Sequence, residues 1–242
     1  MKKLLILLTL SASTIFIGCN KDEEPGTGTL TLRVNFVAQN QTIGTNETFA
    51  FNGNDHQVTL LKMYLSQLQL VCDCGGTKEL KDVVLVDSDA DATSFEFEVP
   101  AGNYSQFKMW LGLPEELNEL DPADAQHPLS AQQNMYWTWA SRYRFMIYEG
   151  RVDSTQSNNF DHLLVYHVGT DTLYREIQSF PIDVKVSDGS QHTIDINFDL
   201  QNVLYNPADP IDVFIDDATH TMDDMDLARR ITENAVASFG LE

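Results

Sequence analysis

The pattern of apolar and polar positions reads mainly as strands. Leu30, Leu32, Val34 and Phe36 alternate with Thr31, Arg33 and Asn35, the period of a strand with one buried face. Phe95, Phe97 and Val99 repeat it, and Pro100-Ala-Gly-Asn103 then turns the chain into a further strand over residues 104–111. Ile182, Val184 and Val186 lead through Ser187-Asp-Gly-Ser190 to Ile194, Ile196, Phe198 and Leu200, the strongest hairpin signal in the sequence. Residues 60–70 are ambiguous, because Leu60, Leu61, Tyr64, Leu65 and Leu68 fit a helical stripe as well as a bulged strand. Residues 115–133, with Pro114, Pro122 and Pro128, show no alternation and predict a long loop, the kind of segment that carries function on a β scaffold. Near the end, Asp223 or Asp224 is placed to cap a helix with Met225, Ile231, Ala235 and Phe239 inward and Gly240 as its stop. The expected fold is all-β: one β-sandwich-like domain with long loops and a short C-terminal helix, which 242 residues without an internal repeat suit.

Aromatic residues crowd between His127 and Gly150 as nowhere else. Here runs Asn134-Met-Tyr-Trp-Thr-Trp-Ala-Ser-Arg-Tyr-Arg-Phe-Met-Ile-Tyr-Glu-Gly150. At strand spacing Trp137, Trp139, Ser141 and Tyr143 share one face, so both indoles point the same way. The plain expectation is a core anchor, since an indole buries a large apolar area and needs one N–H partner. The alternative is a site lined by redox-active rings.

The two ends carry other signals. Lys2 and Lys3, the apolar residues 4–17 and Gly18-Cys19 read as a signal peptide over residues 1–18, too short for a permanent span. Phe16-Ile-Gly-Cys19 resembles a bacterial lipobox, which implies lipidation of Cys19; the alternative is an ordinary cleaved signal with an incidental cysteine. Residues 19–28 are polar and read as a flexible tether, leaving 29–242 as the domain. In the tether, Lys21-Asp-Glu-Glu24 fits equally a solvated linker and the acidic export tag of surface lipoproteins. The expected place is therefore the outer membrane, held by a lipid anchor, with the domain periplasmic or surface-exposed.

Charge narrows the partners. The net charge is −21, and losing Lys2 and Lys3 with the signal makes it more negative still. Such a surface repels phosphate backbones, so no nucleic-acid partner is expected, while cations and plain solubility are favoured.

Candidate chemistry is sparse. Cys72 and Cys74, in Val71-Cys-Asp-Cys-Gly-Gly76, can pair only across one residue, in a small ring expected to be unusually reducible and unable to staple the fold. As thiolates they would suit Cu(I) or Zn(II), though two ligands leave a site incomplete. The histidines at 56, 127, 162, 167, 192 and 220 contain no i, i+4 pair, so folding must assemble any metal site. No Gly-x-Ser-x-Gly, phosphate-cradling glycine loop or His-Glu-x-x-His occurs, and the reading is a non-catalytic protein. Asp209, Asp212, Asp216 and Asp217 lack the glycine and terminal glutamate of an EF-hand loop and read as an acidic loop face.

Four segments together carry a family likeness. His127-Pro-Leu129, Met135-Tyr-Trp-Thr-Trp139, Tyr143-Arg-Phe145 and Glu149-Gly150 form the first. The others are Leu61-Lys-Met-Tyr-Leu-Ser-Gln-Leu-Gln-Leu70, Val165-Tyr-His-Val-Gly-Thr170 and Ala218-Thr-His-Thr-Met222. They resemble the MbnP-like copper-binding proteins, a family related to the MopE and CorA copper proteins, and the likeness makes residues 60–70 a bulged strand. It implies a β-rich secreted protein that binds copper through histidines. In some members it also implies a tryptophan oxidised to kynurenine by a di-haem peroxidase-like partner. Carried onto this chain, it puts His167 and His220 first as copper ligands, with His56 and Met222 beside them and His127 as a further histidine. Trp137 or Trp139 would be the modified or site-lining tryptophan. Imidazole and thioether suit copper better than hard ions. The expected function is an extracytoplasmic copper-binding lipoprotein in copper acquisition, buffering or delivery. Its rivals are a surface β-sandwich lipoprotein that binds glycan or protein through exposed aromatics, and a redox subunit whose tryptophan is substrate or relay.

Overall fold

The computed structural model describes residues 26–90, 92–138, 141–207 and 209–242. The expected signal, the lipobox with Cys19, the acidic run Lys21-Asp-Glu-Glu24 and Trp139 lie outside the described residues. In chain order the strands are β1 (Thr27–Ala38), β2 (Gln41–Thr42), β3 (Thr48–Phe51), β4 (Asn54–Cys72), β5 (Thr77–Asp87), β6 (Ser94–Pro100) and β7 (Gly102–Leu111). They continue with β8 (Tyr136–Thr138), β9 (Arg142–Tyr143), β10 (Met146–Asp153), β11 (His162–Val168) and β12 (Arg175–Glu176). The last are β13 (Phe180–Val186), β14 (Gln191–Asp199), β15 (Ala218–Thr219) and β16 (Phe239–Leu241). The helices are α1 (Glu115–Asn118), α2 (Leu200–Leu204) and α3 (Met225–Ala237). Among the described residues no helix is long and apolar enough to cross a membrane.

The strands form an all-β sandwich. One sheet runs β16-β14-β1-β2, with β6 also paired to β1. The larger runs β12-β7-β4-β10-β11-β15, with β13 on β7 and β3 and β5 on β4. Leu30, Leu32 and Val34 of the first sheet are buried with Leu61, Met63, Leu65, Met146, Tyr148 and Tyr166 of the second in one continuous core. The alternation therefore reports burial faithfully. It does not report sheet membership. β13 and β14, read as a hairpin from the sequence, belong to different sheets: β13 pairs with β7, and β14 pairs in parallel with β1. The turn at residues 187–190 is a corner of the sandwich, and a corner leaves the same period-two pattern on both sides as a hairpin does.

The ambiguity at residues 60–70 also has a physical source. Leu61, Met63 and Leu65 face the core, and then Leu68 and Leu70 do, a step of three at Gln67. Gln67 takes a left-handed φ of 49°, and the pairing register shifts beside it. A bulge thus puts helix-like spacing into a strand.

Asp224 caps α3 by accepting from the Leu227 amide at 2.9 Å, and Ile231 and Ala235 are buried as expected. Met225, expected inward, is 38% exposed in the first turn, and Phe239 and Gly240 form β16 against β14 rather than ending the helix. The acidic loop is tied to the same helix: Arg230 pairs with Asp209 and Asp216 at 3.1 and 3.2 Å.

Residues 115–133, expected as a long loop, contain α1 and, with the flanking residues 112–114 and 134–135, fold back over the outer face of the larger sheet. Leu113, Leu129 and Met135 join Tyr64, Leu85, Tyr143, Phe145 and Ile147 in a second, smaller core. Tyr64 and Tyr143 each donate a hydroxyl hydrogen bond to this segment, to the Pro128 and Leu129 carbonyls. Lys62 and Asp87, both largely buried, form an ion pair of 2.8 Å beneath it.

His56 is 1% exposed, stacked on Phe49 and edge-on to Phe51, and neither ring nitrogen has a hydrogen-bond partner. Burial disfavours the imidazolium and lowers the pKa from 6.5 to about 4. As pH falls below 6.5 the unfolded chain takes up this proton and the folded chain does not, so stability is lost down to about pH 4. We expect His56→Leu to remove about 2 kcal/mol from the loss of stability between roughly pH 7 and 5, read from urea unfolding at the two values. An unchanged pH dependence would show that His56 is charged in the folded protein.

Candidate metal centre

The centre lies on the outer face of the larger sheet, where β11 meets β15. Along β11, Leu164, Tyr166 and Val168 face the core, so Leu163, Val165 and His167 face outward. His167 stands opposite Ile147 of β10, and Glu149 stands opposite Val165, which makes Glu149 a diagonal neighbour of His167 on that face. Glu149 Oε1 lies 2.8 Å from His167 Nε2. In the neutral ring Nε2–H donates to the carboxylate and Nδ1 keeps its lone pair. That Nδ1 is buried and has no hydrogen-bond partner. Burial, joined by the Arg144 and His220 charges, holds the His167 pKa below the usual histidine range despite Glu149.

β15 runs parallel to β11 and brings His220 alongside. The His167 and His220 ring centroids are 5.2 Å apart. His220 Nδ1 is 3.0 Å from Asp223 Oδ2, so a neutral His220 donates through Nδ1 and keeps its lone pair on Nε2. Burial works against the Asp223 carboxylate, but bonds from the His220 amide and ring, the Asp224 amide and Thr219 outweigh it and lower its pKa. Each imidazole is thus oriented by one carboxylate, the arrangement that fixes tautomer and direction in metal-binding histidines.

Trp137 covers the pair edge-on, with ring centroids 5.6 Å from His167 and 5.0 Å from His220. Arg144 stacks 4.3 Å from the indole centroid and donates to the Asn134 carbonyl at 2.8 Å. The aromatic stretch is not the single strand that its alternation suggests. It breaks into the β8–β9 hairpin, with Arg142 at a φ of 56°, and Trp137 stands 37% exposed instead of anchoring the core. A turn inside the run restarts the alternation, so face assignments made across it fail.

Two glycines admit the close backbone contacts of this region. A Cβ on Gly169 would lie 2.4 Å from the Tyr143 carbonyl oxygen, and one on Gly150 would lie 2.7 Å from that of Gln57. Thr221 matters for a different reason. It is a β-branched residue at a φ of 66°, a conformation that costs energy for such a side chain. Its hydroxyl accepts from the Gly169 amide at 3.0 Å and donates to the His167 carbonyl at 2.9 Å, clamping the His220 segment onto β11.

The other expected histidine ligands are elsewhere. His56 pairs with Val152, five residues along β10 from Ile147, and lies on the core face of the sheet. That is about 17 Å from His167 along the strands and on the opposite side, so folding does not bring it to the pair. Met222 adjoins His220 in sequence and is 70% exposed. His127 is exposed, and His162 Nε2 lies 2.7 Å from the Val213 carbonyl oxygen. Among the described residues no cluster of three or more His, Cys, Asp or Glu side chains is gathered as a metal site. The centre offers two imidazole nitrogens, His167 Nδ1 and His220 Nε2.

A family model described as MbnP matches residues 27–223. The chain belongs to the MbnP family. The solved structure of MbnP from Methylosinus trichosporium is similar in fold, with a TM-score of 0.54 at 18% identity over 76% of this chain and 79% of that one. No curated protein matches. Two segments by which the sequence resembles the MbnP family carry the facing histidines, and a third carries Trp137. Sequence reasoning missed Glu149, Asp223, Arg144 and Thr221 as functional residues. Glu149 and Arg144 sit inside the resembling segments, and Asp223 three residues after His220, but only strand register and chain reversal show what they touch.

Thr221→Val keeps the strained backbone and removes both hydroxyl bonds, leaving the buried Gly169 amide without its acceptor. We expect a loss of about 2 kcal/mol in urea unfolding, within the range for a buried unsatisfied donor, whereas Thr221→Ser should stay within about 1 kcal/mol of wild type. Equal stability of both variants would refute the clamp.

Proposed function

We propose that this MbnP-family protein binds copper at His167 and His220, as cargo in copper acquisition, buffering or delivery outside the cytoplasm rather than in catalysis. The observation that carries this reading is the buried, unpartnered Nδ1 of His167, on a ring whose other nitrogen is held by Glu149. Beside it His220 is held through Nδ1 by Asp223 in the same manner, leaving Nε2 free. Neutral imidazole nitrogen suits copper over calcium or magnesium, which take oxygen. The burial that depresses the His167 pKa also reduces competition from protons for its lone pair. Met222, two residues beyond His220 and 70% exposed, would add a soft sulfur to the pair.

Trp137, edge-on to both rings, is the tryptophan on which an oxidising partner of the di-haem peroxidase-like class would act. Peptide mapping of protein from the native host would reveal its oxidation. Cys19 as a lipidated terminus would hold the domain at the outer membrane. Cys19→Ala should then release the protein from the membrane fraction, since the tether has no other apolar anchor; unchanged partitioning would overturn the lipoprotein reading.

The copper site itself is tested by titration in competition with a chromophoric copper chelator. His167→Ala and His220→Ala should each weaken binding by at least about tenfold, and Glu149→Gln by about ten- to a hundredfold, the range for carboxylates that orient ligands. His56→Leu and His192→Ala should leave affinity unchanged. Equal copper binding by wild type and the His167/His220 double variant would overturn the site. It would favour the exposed aromatic surface at Trp137 as a glycan- or protein-binding face.

A further inference from the structure

Cys72 and Cys74 take no part in the copper reading. They form a disulfide at the tip between β4 and β5, with Cα atoms 5.1 Å apart. The tip is remote from the histidines. Lys62 of β4 faces Ile147, the residue opposite His167, and Cys72 lies ten residues further along, about 33 Å of strand.

Backbone hydrogen bonds hold the tip beside the bridge. The Cys72 amide donates to the Gly76 carbonyl at 2.8 Å, the Gly75 amide to the Cys72 carbonyl at 2.9 Å, and the Asp73 amide to the Asn103 carbonyl at 3.0 Å. A ring closed over one intervening residue also removes little freedom from the unfolded chain. The bond thus has little structural task. Its two sulfurs are not equivalent either. Cys74 is exposed, whereas Cys72 is half-buried and packs against the main core. The Cys74 amide N–H points at Cys72 Sγ at 2.9 Å.

We infer that Cys72–Cys74 is a thiol–disulfide exchange centre, taking electrons from a small thiol or from a partner's dithiol. The incoming thiolate attacks the exposed Sγ of Cys74, the S–S bond breaks, and Cys72 sulfur leaves as a thiolate that accepts from the Cys74 amide. A second thiol, from the same partner or another molecule, attacks the reductant's own sulfur in the mixed disulfide and releases the Cys74 thiolate. Two electrons have then passed to the hairpin tip and the reductant is left as a disulfide. The two protons given up by the reductant's thiols are available to Cys72 and Cys74.

The test uses the full chain in millimolar reduced glutathione, quenched by alkylation and read by peptide mapping. The expected result is alkylation of both Cys72 and Cys74, with near-ultraviolet circular dichroism and thermal midpoint unchanged in the reduced protein. In Cys72→Ser the remaining Cys74 should capture oxidised glutathione at least about tenfold faster than Cys72 does in Cys74→Ser, as access controls exchange. A bridge that survives glutathione, as structural disulfides do, would overturn the proposal. So would loss of tertiary structure on reduction, or equal capture by the two single variants.

Discussion

The register of β10 between β4 and β11 is the constraint on which the candidate site depends. Met146, Tyr148 and Val152 on one strand and Leu164, Tyr166 and Val168 on the other are all 1% exposed or less. Each such side chain contributes about 1.5–3 kcal/mol by leaving water. A slip of one residue would turn this whole set outward and carry His167 and Glu149 into the core. The energy that sets the register is therefore spent on one face of the sheet, and its chemical consequence, a carboxylate diagonal to an imidazole, appears on the other.

The remaining parts are brought to that face by weaker and more local devices. His220 arrives through two residues of parallel pairing and the Thr221 clamp, and Trp137 through a small hairpin resting on the second core. That hairpin is secured at its base: the Arg144 amide donates to Met135, the Phe145 amide to Val168, and Arg142 bridges Glu119 and Asp171. The left-handed Thr221 is held against its conformational cost by the bonds to Gly169 and His167.

How much of this was legible follows from what each signal encodes. Period-two alternation records which face of a strand is buried, so β1, β6, β13 and β14 stand where the sequence suggests. It carries no label for the partner strand, so the 187–190 turn has the pattern of a hairpin although it joins two sheets. At Gln67 a bulge and at Ser141 a turn reset the phase, which is why β4 resembles a helix and Trp137 a core anchor. The family resemblance singles out His167 and His220 and carries His56 with them. The separation of His56 from them is a matter of strand parity and register across β4, β10 and β11, which no local pattern records. Glu149 and Asp223 could have been suspected only as carboxylates near the two histidines, since the hydrogen bonds that give them a role are made by folding.

Local charge adds a constraint on what the centre can hold. Among the described residues Arg33, Lys62, Arg142, Arg229 and Arg230 pair with carboxylates, Arg230 with Asp209 and Asp216 and Lys62 with Asp87. Arg144 instead lies over Trp137, where its charge opposes a proton on His167 and would oppose a bound cation as well. With neutral imidazoles, Glu149 and Asp223 outweigh Arg144 by one unit. A monovalent ion would bring the local sum to zero, whereas a divalent ion would leave a net positive charge beside a largely buried ring. The Glu149 and Asp223 side chains are 36% and 54% exposed, so water screens the difference without reversing its sign. The two carboxylates that orient the imidazoles, set against the guanidinium that stacks on the covering indole, therefore give the pair a charge balance that would suit a monovalent ion better than a divalent one.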